Sequence, residues 1–201
     1  MSALGELCHK IKVCTKCEAL AKTRTQVVPG DGAENAEIMF IGEAPGFHED
    51  QEGRPFVGAA GQFLNQLIAS INLKREEVYI TNIIKCRPPG NRDPLPMEIQ
   101  NCNPWLENQI ELMKPKIIVT LGRYSMAKFF PGKTISQIHG SAKKSGDVVY
   151  FAMYHPAAAL HQQNLRQEIE ADFRKIPSLL AELKSVPEDK PQPKQLNMFE
   201  V

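Results

Sequence analysis

The chain has no apolar run long enough to cross a bilayer as a helix. Residues 1–12 also lack the apolar centre of a secretory signal. Both absences point to a soluble, cytoplasmic protein with no membrane partner. Charge of one sign is missing as well: 24 Lys and Arg stand against 23 Asp and Glu, a net +1. No global basic field announces a nucleic-acid partner, although a local basic cluster suffices for one. There is no internal repeat, which excludes a solenoid or a propeller. What is present is the composition of a globular protein, and 201 residues hold one domain with a full core.

Apolar periodicity lays out the elements. A helix in residues 3–22 is expected to carry Cys8, Cys14 and Cys17. Strands are expected at 37–41, 78–85, 117–121 and 148–154, each a short apolar run ended by a glycine, proline or polar residue. Helices are expected at 59–71, 96–113 and 123–130. Leu165, Ile169, Phe173, Ile176, Leu180 and Leu183 mark one C-terminal amphipathic helix. Helices alternating with four apolar strands argue an α/β fold, a parallel sheet with helices on both faces. One domain is expected over 1–184. Residues 185–201 are polar and proline-rich and read as a flexible tail.

The chemistry gathers at the expected carboxyl edge of this sheet, where open α/β folds bind ligands. Gly42-Glu43-Ala44-Pro45-Gly46 is a tight loop at the end of the first strand, whose glycines admit a ligand close to the backbone. Carboxylates follow at Glu49, Asp50 and Glu52, then Arg54-Pro55-Phe56-Val57-Gly58. Asn82 lies in the second strand and His155-Pro156 follows the fourth. Taken singly, Asn82 could cap a loop and His155 could sit satisfied in a core; three strand ends together argue one site. Lys85, Arg87 and Arg92 follow the second strand and suit phosphate contacts.

Five cysteines are few, but they are clustered. Cys14-x-x-Cys17 and Cys86-x15-Cys102 make two pairs, which in a reducing compartment point to metal before disulfides. Four thiolates hold either zinc or a [4Fe–4S] cluster, and spacing does not separate the two. Cys8 has no partner at ligand spacing and reads as a small buried apolar residue.

Assembled in this order, the four cysteines, the GEAPGxxE run at Gly42–Glu49, Arg54-Pro55-Phe56-Val57-Gly58, Asn82 and His155-Pro156-Ala157-Ala158 closely resemble the family 4 uracil-DNA glycosylases. The resemblance covers roughly residues 10–180. It implies a three-layer α/β/α sandwich with a four-stranded parallel sheet, and a structural [4Fe–4S] cluster on Cys14, Cys17, Cys86 and Cys102. It implies hydrolysis of the N-glycosidic bond of uracil in DNA. Substrate would meet Gly42, Glu43, Ala44, Glu49, Phe56, Asn82 and His155. Phe56 would be the platform for a base swung out of the duplex. Asn82 would read its O4 and N3–H, and Glu49 would fill the space near C5. His155 would donate to O2 as charge develops there, and Glu43, through its side chain or its backbone carbonyl, would position water. Leu160 would be the wedge that fills the vacated stack, unless it is core packing. With no lysine nucleophile required, a monofunctional enzyme is expected.

Two further stretches bear on partners and side reactions. Gln195-Leu196-Asn197-Met198-Phe199 resembles the peptide with which bacterial proteins dock on the DNA sliding clamp, Gln195, Leu196, Met198 and Phe199 supplying the contacts. His139 resembles in position a histidine that, in a related glycosylase class, attaches to the abasic sugar. That class carries a basic run before it; this chain has Thr134-Ile135-Ser136-Gln137, so ordinary turnover is expected.

Overall fold

A computed structural model describes residues 1–160 and 162–185. In chain order the elements are α1 (Ala3–Lys12), α2 (Glu18–Thr23), β1 (Asp31–Gly32), β2 (Ile38–Gly42), α3 (Phe47–Glu52), α4 (Ala59–Ser70), β3 (Tyr79–Asn82), α5 (Pro96–Met113), β4 (Ile117–Leu121), α6 (Arg123–Phe129), α7 (Ile135–Ile138), β5 (Ala142–Ser145), β6 (Val148–Met153), α8 (Gln163–Phe173) and α9 (Ile176–Ser185). Short 3-10 turns cover Arg75–Glu77, Pro89–Asn91 and Pro156–Leu160.

The four apolar runs form the parallel centre of the sheet, in the order β3-β2-β4-β6. Two strands not expected from the sequence extend it to six among the described residues. β1 pairs antiparallel with β3, and β5 pairs antiparallel with β6. Neither has an apolar run to announce it: β1 is two residues inside a turn-like Pro-Gly-Asp-Gly, and all four residues of β5 are exposed. Edge strands carry polar residues because one side meets water.

The strand period of two sorts side chains into two cores. Ile38 and Phe40 face α4 and α8, while Met39 and Ile41 face α1 and α5. Helices therefore cover both faces. The chain leaves β2 for β3 over the first face and reaches β4 over the second, so the loop after Gly42 lies where the winding reverses. No helix among the described residues is long and apolar enough to cross a membrane.

Four expected boundaries need correction. α1 ends at Lys12 and carries only Cys8; its stripe of Leu4, Leu7 and Ile11 has no apolar continuation, and Cys14 and Cys17 fall in the turn before α2. β3 stops at Asn82, because Ile83 and Ile84 donate their N–H groups to the carbonyls of Gly42 and Glu43. The C-terminal helix is two, α8 and α9. Pro177 supplies no N–H and falls in the first turn of α9, where no intrahelical donor is needed. The loop after Gly42 contains α3, framed by Gly46 in extended backbone and Gly53 at φ +70. Residues 186–201, including the clamp-like peptide, lie outside the described residues.

Candidate active site and cysteine centre

A cavity of about 380 Å³ opens at the carboxyl edge of the sheet, lined by Glu43, Ala44, Glu49, Phe56, Asn82 and His155 among others. The register explains the gathering. Gly42 and Asn82 are direct partners across β2 and β3. A methyl group on Gly42 would stand 2.4 Å from Asn82 Oδ1 and 2.7 Å from Phe56 Cε2, so only glycine leaves the floor open. The Phe56 ring lies 5.5 Å from the His155 ring, 26° from parallel. Phe56, Asn82 and His155 thus border one space, as the sequence predicted.

Asn82 is 2% exposed, and its Oδ1 is buried with no hydrogen-bond partner among the described residues. Such an orphan acceptor costs about 1–3 kcal/mol. The cost makes sense if the partner is a ligand's N–H.

His155 is fixed in one tautomer. The Ala157 backbone N–H donates to its Nδ1 at 3.1 Å, so the proton of the neutral ring sits on Nε2. Burial pushes its pKa down to about 4, against a small opposing pull from Glu49. The ring is neutral at physiological pH and offers its Nε2–H as a donor. β4 contributes a residue that sequence reading passed over. Gly122 holds φ +91, and a methyl group there would stand 3.0 Å from His155 Cβ. Only glycine lets the histidine pack against this strand tip.

Glu43 is half-buried, and its pKa is raised, chiefly by desolvation and then by Asp93, with Arg123 opposing. Its backbone carbonyl accepts from the Ile84 N–H at 3.2 Å. Glu49 Oε1 accepts from the backbone N–H groups of Val57 and Gly58 at 3.2 and 3.3 Å. It is therefore held against the wall that carries Phe56. Asp50 is buried and accepts from the Thr25 N–H.

Three basic candidates divide. Lys85 is not a phosphate contact: it is 1% exposed and donates to Thr81 Oγ1, the Asn82 carbonyl and Gln109 Oε1. The end of β3 turns it inward beneath Asn82, which apolar periodicity could not reveal. Arg92 lines the cavity but is paired through both nitrogens with Glu98. Arg87 is in no ion pair among the described residues and lies 5.0 Å over the ring of Phe47, itself 51% exposed at the rim. Leu160 is 46% exposed at the end of its 3-10 turn, which removes the core-packing alternative. His139 Nδ1 is 2.7 Å from Asp172 Oδ2.

The second centre lies on the other side of β3. Cys14, Cys17, Cys86 and Cys102 line one small cavity, and none is in a disulfide. Each sulfur faces an N–H donor: Trp105 Nε1 to Cys14 at 3.3 Å, Asn101 Nδ2 to Cys17 at 3.8 Å, Arg24 Nη1 to Cys86 at 3.0 Å and the Lys85 backbone to Cys102 at 3.3 Å. Sulfurs so surrounded are set up as acceptors, which suits ligated thiolates. Among the described residues no three His, Cys, Asp or Glu groups converge closely enough to hold one ion. Four thiols around one cavity are a donor set that suits either zinc or a [4Fe–4S] cluster. Burial pushes the bare Cys102 thiol up to about 11 and raises those of Cys17 and Cys86, so ligation must displace protons. Cys8 is half-buried, with its sulfur 3.7 Å from the Tyr79 hydroxyl and away from this group.

Residues 29–176 match the family described as the uracil DNA glycosylase superfamily. The chain is 47% identical to a type-4 uracil-DNA glycosylase of Archaeoglobus fulgidus, over 89% of this chain and 94% of that protein. It is 48% identical to the type-4 enzyme of Sulfurisphaera tokodaii, over 89% and 86%. It is 46% identical to that of Saccharolobus solfataricus, over 90% and 88%.

Proposed function

The chain belongs to the uracil-DNA glycosylase superfamily, and from that membership and the cavity at the strand tips we propose that it removes uracil from DNA by monofunctional hydrolysis of the N-glycosidic bond. The observation that carries the reading is the buried Oδ1 of Asn82, without a hydrogen-bond partner among the described residues, beside the Phe56 ring. Uracil brings an N3–H to that acceptor. Cytosine brings a lone pair there instead and is refused.

Each residue then has a task. The base leaves the duplex, at a cost of a few kcal/mol, and lies on Phe56. Leu160 enters the gap in the stack. Glu49, fixed by two backbone N–H groups, closes the space near C5 against thymine. The C1′–N1 bond breaks with its electron pair leaving on uracil, and His155 Nε2–H donates to O2 as negative charge grows there. Water attacks C1′ and passes its proton to Glu43, whose pKa, raised chiefly by desolvation, makes its carboxylate a better base. Arg87 meets phosphate at the rim.

Cys14, Cys17, Cys86 and Cys102 would hold a [4Fe–4S] cluster. When bound it supplies a covalent tie between the N-terminal turn and the segment after β3, with no electron transfer in the reaction.

The test is a uracil-containing oligonucleotide, incubated and then treated with alkali, with wild type and His155→Ala compared across pH. Wild type is expected to release uracil and to leave the strand intact until alkali is added. His155→Ala is expected to be slower by about 10²–10³-fold. Because the histidine's folded pKa lies below its ordinary 6.5, its contribution is complete above 6.5 and is lost only as pH falls towards about 4. The rate should show no inflection near 6.5. The acid limb should belong to Glu43, above the usual glutamate range. An inflection near 6.5 that vanishes in His155→Ala would contradict the neutral tautomer.

We propose further that Gln195, Leu196, Met198 and Phe199 dock on a bacterial sliding clamp, as an apolar cluster on a polar tether suits such a groove. Deleting 195–201 is expected to abolish clamp pull-down and to leave activity on short oligonucleotides intact. Loss of both would refute this separation.

A further inference from the structure

Of the two cavity residues other than glycine that hold a positive φ, Asn91 belongs to a type that tolerates it, and Phe56 does not. Its φ is +53, in the left-handed region that a bulky residue occupies only under constraint. Strain of this kind persists where the surroundings over-determine it. The surroundings here are specific. Arg75, in the 3-10 turn before β3, has a side chain 12% exposed. Its Nη1 donates to the Phe56 carbonyl at 3.2 Å and to Asn65 Oδ1 at 3.1 Å, and its Nη2 donates to the Pro55 carbonyl. Its Nε meets Asp31 Oδ2 at 3.4 Å, which anchors the guanidinium to the edge strand β1. On the far side, a methyl group on Gly61 would stand 1.8 Å from the Phe56 oxygen, so α4 presents bare backbone to the same carbonyl. Two consecutive carbonyls are thus gripped by one planar fork while glycine lets the helix come close. The site's own residues do not supply this grip on the carbonyls: Glu49 holds the N–H groups of Val57 and Gly58 beyond.

We infer that Arg75, anchored by Asp31, is a positioning residue that holds the Phe56 ring in the plane on which the extruded base stacks. The inference rests on the uracil-excision reading above. An ammonium cannot replace the fork, because a single Nζ does not span two carbonyls in a fixed plane. Without the fork the backbone relaxes towards negative φ and the ring leaves its plane.

The experiment uses the full chain and a uracil oligonucleotide under single-turnover conditions, with Arg75→Ala, Arg75→Lys, Phe56→Ala and the Phe56→Ala/Arg75→Ala double variant, plus inhibition by free uracil and melting temperatures. Arg75→Ala is expected to lower the rate at saturating DNA by about 10–100-fold, as an ångström of misplacement does. It should weaken inhibition by uracil by a similar factor and leave the DNA concentration for half-saturation within about 3-fold. Arg75→Lys should recover the melting temperature without recovering the rate. In the Phe56→Ala background the arginine's removal should cost less than about 2-fold, because the effect runs through the ring. An Arg75→Lys variant as fast as wild type, or an equal loss from Arg75→Ala in both backgrounds, overturns the inference. Wild type that leaves uracil in place overturns instead the reading on which it rests.

Discussion

Asn82→Ala is expected to slow uracil excision by about 10³-fold or more without weakening the fold. The two halves of that expectation come from one atom. Oδ1 has no hydrogen-bond partner among the described residues, so deleting it removes an uncompensated buried acceptor from the folded state. The melting temperature should hold or rise. For the reaction the loss is the whole recognition of N3–H, and the space over Gly42 becomes an apolar hole that water fills. Single-turnover kinetics on a uracil mismatch and a thermal melt measure both. A variant that melts well below wild type would mean that the amide is structural, and one that cuts at the wild-type rate would remove the basis for reading uracil at all. Its backbone is a separate matter. The Asn82 carbonyl accepts from the buried Lys85 ammonium at 2.8 Å, and the alanine keeps that bond.

Under the proposed [4Fe–4S] ligation, wild type is expected to be brown and to contain iron, and Cys86→Ser is expected to lose both and to melt about 10 °C or more lower. The estimate follows from metal ligation worth several kcal/mol and about 2–4 °C for each in a chain of this size. Geometry says which parts loosen. Cys14 and Cys17 sit in the turn after α1, Cys86 follows β3 and Cys102 lies on α5, so the four thiols join segments that are distant along the chain. Arg24 reinforces the same junction, bonding Cys86 sulfur and the Cys14 carbonyl. Residues 87–95, which carry Arg87 and Arg92 to the cavity rim, lie between Cys86 and Cys102. Activity should therefore fall with stability, and lowering the assay temperature should restore part of it. Colourless wild type that contains zinc, or an unchanged melting temperature in Cys86→Ser, would refute the cluster.

The legible part of this protein was what local pattern encodes. Apolar runs gave the four parallel strands, because a strand buried on both faces is largely apolar; β2, β3 and β4 are buried at every residue, with Thr81, Asn82 and Thr120 the polar exceptions. The ordered motifs gave residues that line one cavity, because a pocket at strand tips draws on loops that follow strands. Less legible were elements whose stability comes from neighbours: β1 and β5 are strands only because β3 and β6 offer open edges. Lys85 was misplaced for the same reason. A lysine among polar residues after a strand is ordinarily solvated, and only the packing of Thr81 and Gln109 around it makes burial tolerable.

The sequence alone determined which side chains the chain possesses and which face of the sheet each apolar residue takes, since periodicity is a property of the backbone. Tertiary structure decided the state of those side chains. The tautomer of His155 depends on one N–H two residues on, the strain at Phe56 on an arginine nineteen positions away, and the emptiness above Gly42 on the register of two strands. Each is a contact between groups whose separation in space no local pattern records.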